Sequence, residues 1–188
     1  KNTGDRAREC TFYFCSSNFL KADKLTSRVL PIENGFVIDQ PRTTQDCHAR
    51  ASLCVQADCD AAVDAAWYRG RYFDTLTMLT NYLSTGQRRT QTYKDPDFAA
   101  GNGATLAIPV ALEPGQSKKI TIRLCWYAPD SDMAADSVSL QGRKCSCADA
   151  YDPDSFYAPW YASKFNDIES VRAFWEKNYD TLLVRTKQ

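Results

Sequence analysis

The residues that could do acid–base chemistry in this chain are its carboxylates and a single histidine, His48. Glycoside hydrolysis needs two carboxylates placed several ångströms apart, one of them with a raised pKa. The 23 Asp and Glu residues lie mostly in polar loop stretches, and their spacing singles out no such pair. His48 falls on the polar face of a predicted strand, and no second imidazole is present to activate a Ser or Cys nucleophile. The sequence therefore predicts no catalytic residue.

The cysteines do not have the spacing of a metal site. There are eight, at positions 10, 15, 47, 54, 59, 125, 145 and 147, with no CxxC pair. A structural zinc site has little support without that motif, and no glycine-rich phosphate-binding motif is present, so we expect neither a metal nor a cofactor. Several cysteines occupy strand-like positions among apolar residues, which favours reduced thiols and a cytoplasmic location. Disulfides are the alternative.

An aromatic stretch with interspersed arginines is the part of the sequence best suited to binding a ligand. It comprises Trp67, Tyr68, Tyr72 and Phe73, interrupted by Arg69 and Arg71. Aromatic faces beside planar donors recognise sugar rings, but sandwich cores and domain interfaces use the same residues, and packing is the commoner role. A second aromatic group, within residues 156–165, precedes the C-terminal helix. From the two groups we select these candidate ligand- or interface-contact residues: Trp67, Arg69, Tyr72, Trp160 and Tyr161.

The balance of charge excludes two classes of partner. Lys plus Arg and Asp plus Glu are equal at 23 each, so there is no basic field for nucleic acid or an anionic membrane. No apolar run approaches the roughly 20 residues that a transmembrane helix needs. With 44% apolar and 12% aromatic residues, the chain can bury a core, and its 188 residues fit one domain or one with a small attachment.

Period-two alternation of apolar residues predicts about seven short strands joined by turns. One strand covers residues 10–15, a hairpin is centred on Asn34-Gly35, and another strand runs on from Cys47. Residues 63–67 form a short strand with Val63, Ala65 and Trp67 pointing the same way. Successive strands joined by tight turns predict a mainly β fold, an antiparallel β-sandwich.

The last predicted pair of strands flanks a proline-glycine turn. Residues 106–112 and 120–126 alternate on either side of Glu113-Pro-Gly-Gln116, which has the residue order of a type II turn, so a hairpin is predicted. Pro109 has no backbone N–H to donate, and its position inside the first of these strands indicates an edge strand or a bulge.

Two helices are predicted, one short and one long. Asp74 can cap the short helix, with Leu76, Leu79 and Leu83 on one face and Gly86 after its end. The long helix carries a stripe of Ile168, Val171, Trp175, Tyr179 and Leu182, and the pair Asn166 and Glu169 predicts its N-cap. It could cover a sheet or lead into a second domain. No stop signal follows the stripe, so we expect the chain to be a fragment.

These elements divide the chain into three parts. Residues 1–130 are predicted to form the sandwich, expected to be incomplete on its N-terminal side. Residues 131–156 are predicted to be a connecting loop. Residues 157–188 are predicted to be an aromatic linker and a helix leading toward an absent domain.

Three segments occur in an order that matches a known family. They are WYRGRYFD at 67–74, LEPGQSKKITIRLCW at 112–126, and Trp160-Tyr161 followed by the helix through Tyr179–Leu182 to Arg185-Thr186. The opening KNTGD before a strand fits the same pattern. The combination resembles the N-terminal region of the family 116 glycoside hydrolases, which include the non-lysosomal β-glucosylceramidases and bacterial β-glucosidases.

The resemblance implies a β-supersandwich that packs against a C-terminal (α/α)6 barrel, in which the barrel carries the catalytic carboxylates of a retaining β-glucosidase. The matching region stops at the linker helix, so no catalytic residue is carried over. The chain is then expected to be a non-catalytic scaffold, inactive alone, whose partners are the barrel and a β-glucoside or oligosaccharide. A carbohydrate-binding module and a structural or interaction domain without a ligand are the alternatives.

Overall fold

The computed structural model describes six ranges of the chain, residues 1–20, 27–42, 50–70, 72–93, 101–130 and 158–187. The connection predicted at 131–156 lies outside the described residues, as do Arg71, His48 and three of the cysteines, at 47, 145 and 147.

Two antiparallel sheets form the fold, which is therefore mainly β, as the alternation predicted. The strands are β1 (Arg8–Ser17), β2 (Arg28–Ile32), β3 (Gly35–Gln40), β4 (Ala51–Ala57), β5 (Ala62–Asp64), β6 (Gly103–Leu112) and β7 (Ile122–Tyr127). The first sheet has the order β1-β6-β5, and the second has the order β2-β3-β4-β7. All of these strand pairings are antiparallel.

The main core lies between the two sheets. Alternate residues of each strand point into it, and its fully buried side chains include Phe36, Ile38, Val55, Leu106 and Ile108. Each such side chain stabilises the fold by about 1.5–3 kcal/mol relative to an exposed one. Across the core, β2 contacts β5 and β3 contacts β6. Given the order of strands in each sheet, β1 therefore lies at the same side of the sandwich as β4 and β7.

A helix covers the outer face of the four-stranded sheet. The helices are α1 (Thr75–Ser84) and α2 (Ile168–Thr186), and a 3-10 helix (Trp160–Ser163) precedes α2. The apolar side of α2 packs on three buried residues of the sheet, Val37, Cys54 and Cys125. Of the two roles expected for the last helix, covering a sheet is the one observed. Strand β4 is consequently buried on both faces, although its sequence alternates.

The N-cap predicted for α2 was wrong by one residue. Asp167 is the cap: its carboxylate accepts the Ser170 backbone N–H at 2.7 Å, and the Ser170 hydroxyl completes a capping box. The carbonyl of Asn166 instead accepts a hydrogen bond from the Arg50 guanidinium at 2.9 Å. Glu169 forms an ion pair with Arg172, one turn along the helix. Asn and Asp are both favoured N-cap residues, so residue type alone does not distinguish position 166 from position 167.

The first hairpin is confirmed, with its turn one residue earlier than predicted. Ile32 pairs with Gly35, so the two turn residues are Glu33 and Asn34. Asn34 adopts the left-handed conformation with φ of 53°, which asparagine tolerates well. Gly35 is needed in the strand instead, because a Cβ there would lie 2.4 Å from the Val55 carbonyl oxygen.

The hairpin predicted between residues 106–112 and 120–126 was wrong, although its turn is present. Gln116 donates its N–H to the Glu113 carbonyl at 3.0 Å, and Gly115 has φ of 77°, as a type II turn requires. Strand β6 belongs to the three-stranded sheet, whereas β7 pairs with β4 in the other sheet. Residues 117–121 therefore cross between the sheets, and pairing with distant strands overrides the local turn.

Pro109 was expected on an edge strand or at a bulge, but β6 is the central strand of its sheet and its register with β1 is unbroken. The proline is tolerated because β5 pairs only with residues 105–107 of β6. Pro109 lies beyond that pairing, at a point where no described strand is paired with that side of β6.

The short helix α1 is capped as predicted, and Leu79 and Leu83 of its predicted apolar face are half-buried. The Asp74 carboxylate accepts the Leu76 N–H at 2.8 Å, and Gly86 follows the helix with φ of 68°. Leu76 is exposed, and Tyr82 is the buried residue of the helix. Neither α1 nor α2, the α-helices of the described part, is long and apolar enough to cross a bilayer.

Candidate functional site

A polar row crosses the outer face of the three-stranded sheet. Cys15 is paired with Thr105, and Thr105 with Asp64, so the three side chains follow one another across β1, β6 and β5. The Thr105 hydroxyl lies 3.5 Å from the Cys15 sulfur. Thr105 and Asp64 are both buried. Polar groups buried on the outer face of a sheet need a cover, and the following residues supply it.

Trp67 covers this row. Its indole N–H donates to the Thr105 hydroxyl at 2.9 Å, and only 5% of its surface is exposed. The ring lies so close to Gly103 that a Cβ there would be 2.5 Å from it. The prediction that Trp67 points the same way as Val63 and Ala65 was wrong, because β5 ends at Asp64.

The change of direction after Asp64 has a local cause. The Asp64 carboxylate accepts the Ala66 backbone N–H at 3.0 Å, which is an Asx turn. The pairing of β5 with β6 stops at Asp64. The next residue, Ala65, donates its backbone N–H to the Gln91 carbonyl at 2.8 Å instead. Asp64 therefore both ends the strand and places Trp67 on the outer face.

Helix α1 and this outer face enclose a cavity of about 360 Å³. The carboxylate of Asp64, the rings of Trp67 and Tyr82, and the Met78 side chain line it, and the segment 85–91 forms its rim. Thr75 fixes the start of α1 by donating its hydroxyl to the Tyr68 carbonyl at 3.0 Å. The volume is within the roughly 300–1,000 Å³ of ordinary ligand pockets.

Asp64 is the most unusual group in this cavity. Among the described residues its side chain accepts one hydrogen bond, from Ala66, and forms no ion pair. Burial raises the pKa of the Asp64 carboxyl, against the opposing effects of the Ala66 bond and the Arg89 charge. A carboxylate can accept up to about four hydrogen bonds, so Asp64 retains acceptor capacity.

Arg89 supplies the opposite charge at the rim. Its guanidinium lies over the Tyr82 ring, 4.3 Å from the centroid, and its backbone N–H donates to the Tyr82 hydroxyl at 3.0 Å. Burial raises the pKa of the Tyr82 phenol, which stays a neutral donor at physiological pH. The cavity thus combines one carboxylate, one guanidinium and aromatic walls, a set suited to a neutral, polar ligand.

The other candidates from the first aromatic group lie outside the cavity wall. Arg69 lies over the Tyr93 ring, 3.3 Å from the centroid, and the Tyr93 hydroxyl donates to the Trp67 carbonyl. Arg69 and Trp67 are therefore linked through Tyr93. Tyr72 is 93% exposed.

The second aromatic group lies on the other sheet. The Tyr161 hydroxyl donates to the Ala128 carbonyl, and its ring packs edge-on against Tyr127. Tyr161 therefore attaches the approach to α2 to the end of β7, which is a structural contact. Trp160 is 73% exposed, with the Lys164 ammonium 5.7 Å from its ring. The structure does not bring the two predicted groups together in one site.

A second surface of interest is one side of the sandwich, where β1 and β7 are both edge strands. Phe12 of β1 and Leu124 and Trp126 of β7 lie on the faces of their sheets that are turned toward the core. All three are nevertheless exposed. Phe19, just after β1, stacks on Trp126 at 5.8 Å. These four residues define what we call the open side. Exposed apolar residues beside two edge strands are typical of surfaces that contact other proteins.

Sequence reasoning missed Asp64, Tyr82 and Arg89 as cavity residues. The alternation of Val63, Ala65 and Trp67 did place Asp64 on the opposite face, but it did not indicate that this face is buried. Nothing in the local sequence shows that α1 returns to cover it.

The described residues contain no group of three His, Cys, Asp or Glu side chains that could hold a metal ion. The chain shows no significant similarity to a known protein family or to a curated protein.

Proposed function

We propose that this chain is a non-catalytic scaffold domain of a retaining β-glycosidase of the β-glucosidase and glucosylceramidase type. Its proposed partner is a C-terminal (α/α)6 catalytic domain of the same protein, and it would help to shape the rim of the sugar pocket. The proposal includes a cytoplasmic location, supported by the unbonded thiols of the five described cysteines. The order of the three family-like segments supports the choice of parent enzyme.

The open side is the observation that carries the scaffold role. The two edge strands β1 and β7 expose Phe12, Leu124 and Trp126, which lie on the core-facing sides of their sheets. Edge strands with exposed apolar side chains favour association with another protein surface. A domain that docks there buries these side chains and covers both edges.

The surface of α2 is a second support. No residue of this helix is fully buried, and its exposed apolar residues include Phe174, Leu183 and Val184. The helix therefore covers the sheet with one side only, and the other side is free to contact a neighbouring domain.

The test uses the full-length gene product and an aryl β-glucoside. We expect hydrolysis by the full-length protein and none by the 188-residue chain. Leu124→Asp places a charge in the proposed interface and should lower turnover roughly tenfold or more, as loss of a central interface residue does.

Leu76→Asp is the matched control, since Leu76 is 61% exposed and Leu124 59%, and Leu76 lies on α1, away from the open side. It should leave turnover unchanged. Equal losses for both variants would contradict docking at the open side. Turnover by the chain alone, abolished by one carboxylate substitution, would contradict a non-catalytic role.

A carbohydrate-binding module is the second candidate, and the cavity beside Asp64 favours it. The cavity offers a sugar the Asp64 carboxylate and the Arg89 guanidinium as polar contacts, whereas Trp67 and Tyr82 are buried and present little ring face for stacking. Calorimetric titration with β-glucan oligomers tests it. Binding that Asp64→Asn weakens and Trp160→Ala does not would support the cavity. The reverse pattern would assign binding to the exposed Trp160, and no binding heat with any of the β-glucan oligomers would exclude a binding module.

A further inference from the structure

Two cysteines face each other across neighbouring strands of the four-stranded sheet. Cys54 of β4 and Cys125 of β7 are direct partners in the antiparallel register, so their side chains point to the same face. Both are buried, and both are free thiols. They lie in one small cluster with Val37, beneath the Ile168 to Trp175 portion of α2.

The register alone brings the two backbones within reach of a disulfide. Directly opposed residues of antiparallel strands have Cα atoms about 4.5–5.5 Å apart. Disulfides form at Cα separations of about 4.4–6.8 Å, so both kinds of antiparallel pair qualify. In contrast, Cys10 and Cys15 of β1 are opposite Val110 and Thr105. Cys54 and Cys125 are the one pair of directly opposed cysteines among the described strands.

We propose that Cys54 and Cys125 are a site of covalent modification, at which exchange with a small disulfide such as oxidised glutathione forms a cross-strand disulfide. One thiol loses its proton to solvent and attacks a glutathione sulfur, which breaks the S–S bond and releases one glutathione thiolate. The second cysteine also loses its proton, attacks the protein sulfur of the mixed disulfide and releases the second glutathione as a thiolate; the two released thiolates then take up the two protons. Two protein thiols are oxidised, and one glutathione disulfide is reduced to two thiols.

The location gives the bond a mechanical role. Strand β7 is at the edge of its sheet, and among the described strands it pairs with β4 alone. A bond between β4 and β7 closes a loop of about 70 residues, and long loops are the ones whose closure restricts the unfolded chain most. The disulfide would therefore fasten the edge strand that carries Leu124 and Trp126.

Helix α2 controls access to the pair. Burial raises the pKa of the Cys125 thiol and raises that of Cys54 to about 12, with the negative charge of a Cys125 thiolate adding to the effect at Cys54. The positive charge of Arg172 on α2 acts in the opposite direction on both. Few thiolates form while the helix is docked, and exchange depends on thiolates. Oxidation of the native protein therefore waits for α2 to move away from the sheet.

The experiment exposes the reduced native chain to oxidised glutathione and measures its mass and its peptide links over time. The expected product has lost two hydrogens and yields a proteolytic peptide that joins residues 54 and 125. Trp175→Ala truncates the bulkiest of the three α2 side chains that pack on this cluster. It should speed formation of the product at least roughly tenfold, since losing a packed Trp weakens docking by well over 1.4 kcal/mol. The oxidised protein should also melt at a higher temperature than the reduced one.

Matched variants make the result decisive. Cys10→Ser and Cys59→Ser should leave the product unchanged, whereas Cys54→Ser and Cys125→Ser should each abolish it. Oxidative refolding of the wild type provides a second route to the bond if the native protein reacts too slowly. Native refolded protein with free thiols at 54 and 125, or with these residues linked to other cysteines, would overturn the proposal.

Discussion

Trp67 donates its indole N–H to the Thr105 hydroxyl 2.9 Å away, and this bond joins the segment after β5 to the central strand β6. Both residues are buried. The bond satisfies an indole donor and a hydroxyl acceptor that water cannot reach, so the pair stabilises the outer face of the three-stranded sheet and one wall of the cavity.

Trp67→Phe should therefore destabilise the protein by roughly 1–3 kcal/mol. The smaller ring removes the indole donor of the Thr105 hydroxyl and leaves a space beside that hydroxyl. Urea unfolding followed by circular dichroism measures the change. Trp126→Phe is the matched control: Trp126 is largely exposed, so a change of at most about 0.5 kcal/mol is expected. Similar losses for the two variants would show that the Thr105 bond contributes little.

Gly103→Ala should destabilise the same wall. The added Cβ would lie 2.5 Å from both the Ser16 carbonyl oxygen and the Trp67 ring, so the tryptophan must shift. We expect a loss of about 1–3 kcal/mol, as for other overpacked sites, together with a changed near-ultraviolet circular dichroism signal. Gly4→Ala is the control, because Gly4 is exposed and the nearest atom to its added Cβ belongs to the Asn2 side chain. A neutral Gly103→Ala would mean that Trp67 does not lie against this glycine.

Asp64→Asn should raise stability at neutral pH. Burial raises the pKa of the folded Asp64 carboxyl above its ordinary value of 3.8, so the native state binds this proton more tightly than the unfolded state. Asp64 therefore favours folding at low pH, and this contribution is lost as the pH rises from 3.8 through the higher folded pKa. The asparagine keeps an acceptor for the Ala66 N–H and removes the buried charge.

Melting temperatures of wild type and Asp64→Asn across this pH range give the test. The advantage of the variant should grow as the pH rises and then level off above the folded pKa. A constant difference at all pH values, or a less stable variant at neutral pH, would contradict the effect of burial on Asp64.

Asp167→Ala should cost about 1 kcal/mol, because it removes the side chain that accepts the Ser170 N–H at the start of α2. Asp167→Asn should restore most of this stability. Asn166→Ala is the control that separates the observed cap from the one predicted by sequence, since only the backbone carbonyl of Asn166 is used. A larger loss of stability for Asn166→Ala than for Asp167→Ala would indicate that Asn166, and not Asp167, is the N-cap of α2.

The same cap gives a pH dependence of the opposite sign to that of Asp64. The Ser170 backbone N–H holds the pKa of the Asp167 carboxyl below 3.8, so this contribution is present above 3.8 and is lost as the pH falls through the lower folded pKa. Unfolding free energies of wild type and Asp167→Ala, measured at a series of acidic pH values, should differ less and less as the pH falls through this window.

Local features of the chain could be predicted because they depend on neighbouring residues. The alternation in β1, the Asp74 cap and the turn at Glu113–Gln116 are properties of short segments, and the structure confirms them. The mainly β fold followed from the same alternation, since each half-buried strand requires a sheet partner.

The sequence by itself thus determined the class of fold, most of its strands and the N-cap of α1. Tertiary structure decided which sheet each strand joins: β6 and β7 are close in sequence, yet they pair with β1 and β4 in different sheets. It also decided that α1 covers Asp64 and that α2 covers Cys54 and Cys125. These outcomes depend on contacts between residues far apart in the chain, and alternation within one segment carries no information about the partner that will bury it.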